Sequence, residues 1–245
     1  MTMINRRNLL AAMGAMPLAA CSDEELGAIL GEVLAGSTAG GGLTAADAAA
    51  GIRAALNQGT GTAISQVGQM GGYFNDSSIR IPLPRTLANA QQELSRFGLS
   101  GSLDELQRQI NRGAEEAAPQ ARSIFVDAIR AMTIRDALGI VRGSDTAATE
   151  YFQRETTTSL TRLFNPMMQT ALQRTGAIRT FDNMVARLRT VPLAPQLGAD
   201  AKTDLINHGV SRGLDGLFFY VAREEQAIRQ NPARRTSEIL RRVFA

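Results

Sequence analysis

The sequence predicts an all-α protein: a single multi-helix domain with one extended, proline-containing strap. Three observations carry this. Apolar residues recur at spacings of three and four along nearly all of the chain after Leu87, the signature of helices with one buried face. Ser/Thr-x-x-Asp/Glu patterns at Ser22–Glu25, Thr44–Asp47, Ser102–Glu105 and Thr133–Asp136 mark helix starts, because hydroxyl and carboxylate can satisfy each other's exposed backbone N–H groups. The run Ile79-Arg80-Ile81-Pro82-Leu83-Pro84 alternates as a strand would, but its two prolines lack the N–H that a central strand donates, which makes it a strap or an edge.

In chain order, Arg6-Arg7 precede an apolar stretch from Leu9 to Ala20, which ends on Leu18-Ala19-Ala20-Cys21. A basic start, a short apolar core and small residues form an export signal. The apolar core is about a dozen residues, against roughly 20 needed to span a bilayer. Cys21 at its end makes the segment similar to a bacterial lipoprotein signal. That resemblance implies cleavage before Cys21 and lipid attachment to it. Asn5-Arg6-Arg7-Asn8-Leu9-Leu10 also resembles a twin-arginine motif, with an ordinary basic start as the alternative. Residues 1–20 are thus expected to be the signal, and residues 21–42 a lipidated N-terminus with a short amphipathic helix (Leu26, Ile29, Leu30, Val33, Leu34) and a Gly40-Gly41-Gly42 tether. Fully extended, this tether reaches roughly 70 Å.

The domain proper is expected over 43–245. An Ala-rich segment through Met70 should break or bend at Gly59 and Gly61, and Gly71-Gly72-Tyr73-Phe74 should form a turn bearing aromatics. Helices are expected around Leu103 to Ile110, broken by Pro119, and around Ala121 to Met132, then from Thr133 to Gly143. A long one should start at Asp145, with Pro166 inside it. Phe181, Met184, Val185 and Leu188 mark the next, before a loop over Val191–Pro195. A short helix from Ala201 should stop at Gly209, followed by a strong stripe of Leu214, Leu217, Phe218, Val221 and Ile228. Thr236 to Phe244 is the last.

The whole chain has 26 basic and 23 acidic residues; without residues 1–20 the balance falls to 24 against 23, which gives no nucleic-acid footprint. Lys202 is the only lysine and Cys21 the only cysteine, so a lipidated Cys21 leaves no internal disulfide. His208 is the only histidine; zinc-type ligation wants several His or Cys, and no metal or other cofactor is implied. Just before Gly209, His208 suits a helix C-terminal cap.

Glu224 and Glu225 flank the apolar stripe of their helix at roughly 60° and 40°, so at least one enters the core face and needs a partner. Arg229, one turn after Glu225, supplies it. The three tyrosines each adjoin a phenylalanine (Tyr73-Phe74, Tyr151-Phe152, Phe219-Tyr220), and Tyr151, Phe152 and Tyr220 are candidate pocket aromatics, with plain core packing as the alternative. Gly59-Thr60-Gly61 lacks the spacing and lysine of a phosphate loop.

Six sets of residues share a further likeness: Ile79 to Pro84; Asn111-Arg112-Gly113-Ala114-Glu115; Ala147 to Phe152; Leu214-Asp215-Gly216-Leu217-Phe218; Glu224-Glu225 with Ile228-Arg229; and Arg235-Thr236 with Val243-Phe244. Together they resemble the bacterial domain-of-unknown-function family numbered 4197, over roughly residues 44 to 245. Gly113 stands where that motif carries alanine. The resemblance implies a Gram-negative envelope protein, often with a signal, and brings no activity. It shortlists Glu115, Tyr151, Phe152, Glu224, Glu225 and Arg229.

The expected function is therefore a non-catalytic envelope lipoprotein facing the periplasm, bound to the membrane through its lipid, with an envelope protein or lipid as partner and no nucleic acid. Ser22 after Cys21, where aspartate would retain the protein in the inner membrane, implies the outer membrane. Two alternatives stand beside it: a carboxylate-dependent hydrolase centred on Glu225 with Glu115, and a carrier of lipid or a small apolar ligand between helices, lined by Met167, Met168 and Met184.

Overall fold

The computed structural model describes residues 44–174, 176, 178–179, 181–183, 186 and 200–234. The chain divides into two units, Met1–Thr44 and Ala45–Ala245; apart from Thr44, the first lies outside the described residues. Cys21, the signal, the helix after Ser22 and the glycine tether therefore fall outside, as do Met184, Val185, Leu188, the 191–195 loop and the helix expected over Thr236–Phe244.

The second unit is all-helical among the described residues. Its seven α-helices are α1 (Ala45–Val67), α2 (Arg85–Ser95), α3 (Gly101–Ala117), α4 (Arg122–Ala131), α5 (Ile134–Arg142), α6 (Ala147–Arg174) and α7 (Ala201–Gln230). Local chemistry explains several boundaries. Thr133 accepts from the Asp136 N–H at 3.1 Å and Asp136 returns a bond to the Thr133 N–H at 2.9 Å, so the expected capping box opens α5. Pro119 breaks the α-helical pattern into a 3-10 turn, Ala118–Ala121, that separates α3 from α4. Ser100, not Ser102, precedes α3, and its hydroxyl donates to Asp104 at 2.7 Å.

Two expected breaks do not occur. α1 runs through Gly59 and Gly61, and α7 runs through Gly209 without stopping. A glycine inside a helix costs about 1 kcal/mol against alanine, and the packing of α7 shows what offsets it. α6 and α3 both press against α7: a Cβ added at Gly209 would meet Ile110 at 3.1 Å and Met168 at 3.2 Å, and one at Gly213 would meet Ala114 at 3.3 Å and Phe164 at 3.6 Å. These pairings set α3 parallel to α7 and α6 antiparallel to both. Gly113 belongs to the same crossing, where a Cβ would lie 2.7 Å from the Met168 sulfur. The missing side chains thus allow three helices to approach closely.

α7 is the centre of the domain, with α1, α3 and α6 packed on it. The core around it is apolar and well filled. Phe125 meets Phe152 edge-on at 5.1 Å and Phe218 at 6.1 Å, and all three rings are buried. Met168 is fully buried in the three-helix crossing.

The strap behaves as its alternation predicts. Ile79, Ile81 and Leu83 are buried while Arg80 and Pro82 are exposed. No strand among the described residues pairs with it. Instead the side-chain amide of Asn111 on α3 accepts from the Ile81 N–H at 2.8 Å and donates to the Ile81 carbonyl at 2.9 Å, which reproduces the two bonds a neighbouring strand would make. The Pro82 carbonyl lies 2.8 Å from His208 Nε2. His208 therefore ties the strap to the N-terminal third of α7, and the expected helix-capping role is corrected, because no helix ends at Gly209.

Candidate functional site

The buried charges of the domain are spent on backbone. Glu225, on α7, receives the Ala148 N–H on one oxygen at 2.9 Å, and the Thr149 N–H and hydroxyl on the other, each at 2.9 Å. These are N–H groups of the first turn of α6, which no intrahelical carbonyl can reach. A carboxylate also suits the positive end of the helix. Arg229 closes the arrangement: its Nη2 donates to Glu225 at 2.8 Å and to the Ile140 carbonyl in the last turn of α5 at 2.7 Å. One ion pair so satisfies the start of α6 and the end of α5. Glu224 is also buried, and Arg234 Nη1 lies 3.4 Å from it.

Glu115, on α3, does the same for a turn. Its Oε1 accepts from the Tyr73 N–H at 3.2 Å and the Phe74 N–H at 3.3 Å, while Arg112 reaches its other oxygen at 3.3 Å. The turn starts at Gly71, whose φ of +79° favours glycine. Tyr73 is fully buried and its hydroxyl donates to the Gly213 carbonyl at 2.6 Å; burial first, then the nearby Glu115 charge, push its ionisation well above the ordinary tyrosine range.

Glu115 and Glu225 do not share a site. Tyr73 places the Glu115 turn at the level of Gly213, twelve residues before Glu225, or about 18 Å along α7. The expected cluster of Glu115, Glu224, Glu225 and Arg229 is thus two separate constructions. This spacing exceeds the 5–10 Å that paired carboxylates need for acid–base work.

The candidate aromatics are placed as core and latch. Phe152 is fully buried in the aromatic cluster. Tyr151 donates to the Ala128 carbonyl at 3.0 Å, with its ionisation raised by burial and then by Asp136. Tyr220 donates to Asp76, which fastens the turn to α7, and Arg223 stacks over the Tyr220 ring at 5.5 Å. None of the three lines the open clefts described below. Between helices, the cavity beside Glu225 and Ile228 holds only about 20 Å³, and Met168 is packed solid, so the interior offers no room for a carried ligand there.

The Tyr220–Asp76 contact gives a pH signature. The hydrogen bond from Tyr220, helped by the Ser78 N–H, lowers the Asp76 ionisation, and the same bond is the first cause that raises Tyr220. A lowered acid contributes stability above its unfolded pKa of about 4 and loses it as pH falls; a raised phenol contributes below its unfolded pKa of about 10 and loses it as pH rises. We therefore expect the stability difference between wild type and Tyr220→Phe to be greatest between about pH 4 and pH 10 and to shrink on both sides. Urea titrations below about pH 4, near neutrality and above about pH 10 measure it; a difference that stays the same in all three regions would contradict the assignment.

Several clefts open on the surface of the described residues. One of about 480 Å³ lies between the 70–75 turn, α3 and the end of α6, and includes Met70, Phe74, Arg108, Arg112, Glu116 and Arg174 in its walls. Glu116 bridges two of these arginines, with Arg112 Nε at 3.1 Å and Arg174 Nη2 at 2.5 Å. The Phe74 ring carries a guanidinium from Arg80 at 5.4 Å and from Arg108 at 5.6 Å. Clefts of about 460 and 330 Å³ lie under the strap beside Arg212 and Phe219, and along α6 and α7 beside Gln153 and Asn207. No group of three or more His, Cys, Asp or Glu side chains converges as a metal site among the described residues, and no described helix is long and apolar enough to cross a membrane.

The family model described as "Protein of unknown function (DUF4197)" matches residues 42–245. The chain belongs to the DUF4197 family. No curated protein and no solved structure matches it. The match agrees with the likeness read from its sequence motifs, and the site that sequence reasoning missed in this DUF4197 domain is the arginine-lined cleft. Arg108, Arg112 and Arg174 come from two helices, and only the 70–75 turn that Glu115 holds makes their faces concave.

Proposed function

We propose that this chain is a lipid-anchored cell-envelope protein, facing the periplasm from the outer membrane, whose helical domain binds a partner without transforming it. The observation that supports binding over catalysis is the use of the buried carboxylates. Glu225 is saturated by two backbone N–H groups, a hydroxyl and Arg229, and Glu115 holds two backbone N–H groups and Arg112. A general acid or base must be able to exchange a proton with a reacting group within hydrogen-bond reach. These carboxylates are committed to holding helices and a turn. What the domain leaves open is the cleft beside Met70 and Phe74, held in shape by one of them.

Anchoring rests on the sequence around Cys21, and its test is direct. Cells fed an alkyne-labelled fatty acid should label the wild-type protein and not Cys21→Ala, and the wild type should fractionate with the outer membrane. Absence of label on the wild type, or membrane retention of Cys21→Ala, would overturn the proposal.

A further inference from the structure

We infer that the cleft between the 70–75 turn, α3 and α6 binds an anionic amphiphile, a molecule with a phosphate or carboxylate head and an alkyl tail. The inference rests on the proposed role as a binding domain close to a membrane and names the class of ligand for its cleft.

The cleft is preformed. Glu115 bolts the turn to α3, and the Tyr73 hydroxyl bolts it to α7. Its volume of about 480 Å³ falls within the few hundred to a thousand Å³ of small-molecule sites. The charged lining consists of three guanidiniums, Arg108, Arg112 and Arg174, against two carboxylates, Glu115 and Glu116, so the lining carries one net positive charge, with Arg108 also paired to Glu105 at its rim. The negative side is also the more hidden: the Glu115 side chain is 3% exposed, while those of Arg112 and Arg174 are 37% and 58% exposed. Each guanidinium carries five N–H donors. Within the cleft Arg174 donates through Nη2 to Glu116, and Arg112 through Nε and Nη1 to Glu116 and Glu115, which leaves further donors on each for a ligand oxyanion. Arginine forks match phosphate and carboxylate oxygens in pairs.

Met70 and Phe74 add apolar surface to the cleft, the Phe74 ring lying against the Arg80 and Arg108 guanidiniums. Met70 is 83% exposed, in a domain that buries most of its large apolar side chains, and Phe74 stands beside it. A thioether side chain adapts to an irregular alkyl surface. A bare inorganic anion would use the arginines and ignore Met70; a neutral alkyl chain would do the reverse. A ligand with both parts uses the whole cleft.

The test titrates decyl phosphate, decanoate, decanol and inorganic phosphate, below micelle formation, into the full chain held in phosphatidylcholine nanodiscs, with empty nanodiscs subtracted. Decyl phosphate or decanoate should bind at least tenfold tighter than decanol or inorganic phosphate, and which of the two heads wins separates a phospholipid-like from a fatty-acid-like source. The double variant Arg108→Gln/Arg174→Gln should weaken that binding at least tenfold, the scale of losing a charge-assisted hydrogen bond. Met70→Ser should weaken decyl phosphate and leave inorganic phosphate unchanged. All three side chains are at least half exposed, so thermal unfolding should match the wild type. Equal binding of inorganic phosphate or of decanol, insensitivity to the variants, or no binding above empty nanodiscs would each overturn the inference. Cys21 labelling without amphiphile binding would sink this inference alone, and amphiphile binding without labelling would sink only the anchoring.

Discussion

Glu225→Ala should lower the stability of the domain by about 3–5 kcal/mol, the scale of removing one partner of a buried ion pair. For a domain of this size, at about 2–4 °C per kcal/mol, the midpoint of thermal unfolding should fall by roughly 6–20 °C. The size of the effect follows from what Glu225 holds. Its side chain is 6% exposed and that of Arg229 10%. Removing it leaves two N–H groups at the start of α6 and the Thr149 hydroxyl short of an acceptor, and takes from Arg229 its bonds to Glu225. Glu225→Gln, which keeps an acceptor oxygen, should cost less. Arg229→Met combined with Glu225→Met should cost less than the two single changes added together, because neither charge is then left alone. Circular dichroism melts of the wild type, the four single variants and the double variant provide the comparison; a loss below about 1 kcal/mol for Glu225→Ala would mean that solvent caps α6 instead.

Asn111→Ala should cost about 2–4 kcal/mol, because an unsatisfied buried backbone group costs about 1–3 kcal/mol and the strap at Ile81 exposes both a donor and an acceptor to the gap. Asn111 and Ile81 are both fully buried, so water does not readily replace the amide. Gln107 Nε2 still reaches the Ile81 carbonyl at 3.3 Å, which leaves the N–H as the principal orphan. The expected local signature is faster hydrogen exchange at the Ile81 amide, beyond what the global loss explains. Asn111→Asp keeps the acceptor but removes the donor and buries a charge, and should be at least as damaging. An Ile81 amide that stays protected in Asn111→Ala would show that the strap is held by its apolar residues alone.

These two residues also mark where sequence reasoning reaches its limit. The helical class, the capping box at Thr133, the alternation of the strap and the pairing of Glu225 with Arg229 are all local: each is a spacing of two, three or four residues, which helix and strand geometry converts directly into a shared face. Asn111 and Glu115 lie about 100° and 140° from the apolar stripe of Leu103, Leu106, Ile110 and Ala114, where a helix is ordinarily solvated. Both are nonetheless buried, because the strap and the 71–76 turn return from elsewhere in the chain to cover that side of α3. Gly209 misleads for the opposite reason. Its low helix propensity is a real local cost, but close approach to α3 and α6 outweighs it, and only the packed structure shows those neighbours. His208 follows Gly209 into the same error, since a residue before a helix stop invites a capping role. The arginine-lined cleft has no sequence signature because its walls come from separate segments and its shape from a turn held in place by Glu115.

The placement of α7 has a consequence for the order of assembly during synthesis. Tyr73 bonds to Gly213, Pro82 to His208, and Ala148 to Glu225, at separations of 140, 126 and 77 residues. Each joins an early segment to a helix made after it. A nascent chain emerges from its N-terminus at roughly 5–20 residues per second, so the ribosome must run on for several seconds after the strap is made before its anchor exists. Until then the faces of α1, α3 and α6 that pack on α7 have no surface to close on. The polypeptide therefore cannot complete its core until α7 has emerged, and the last made of the seven described helices becomes the one on which the earlier ones close.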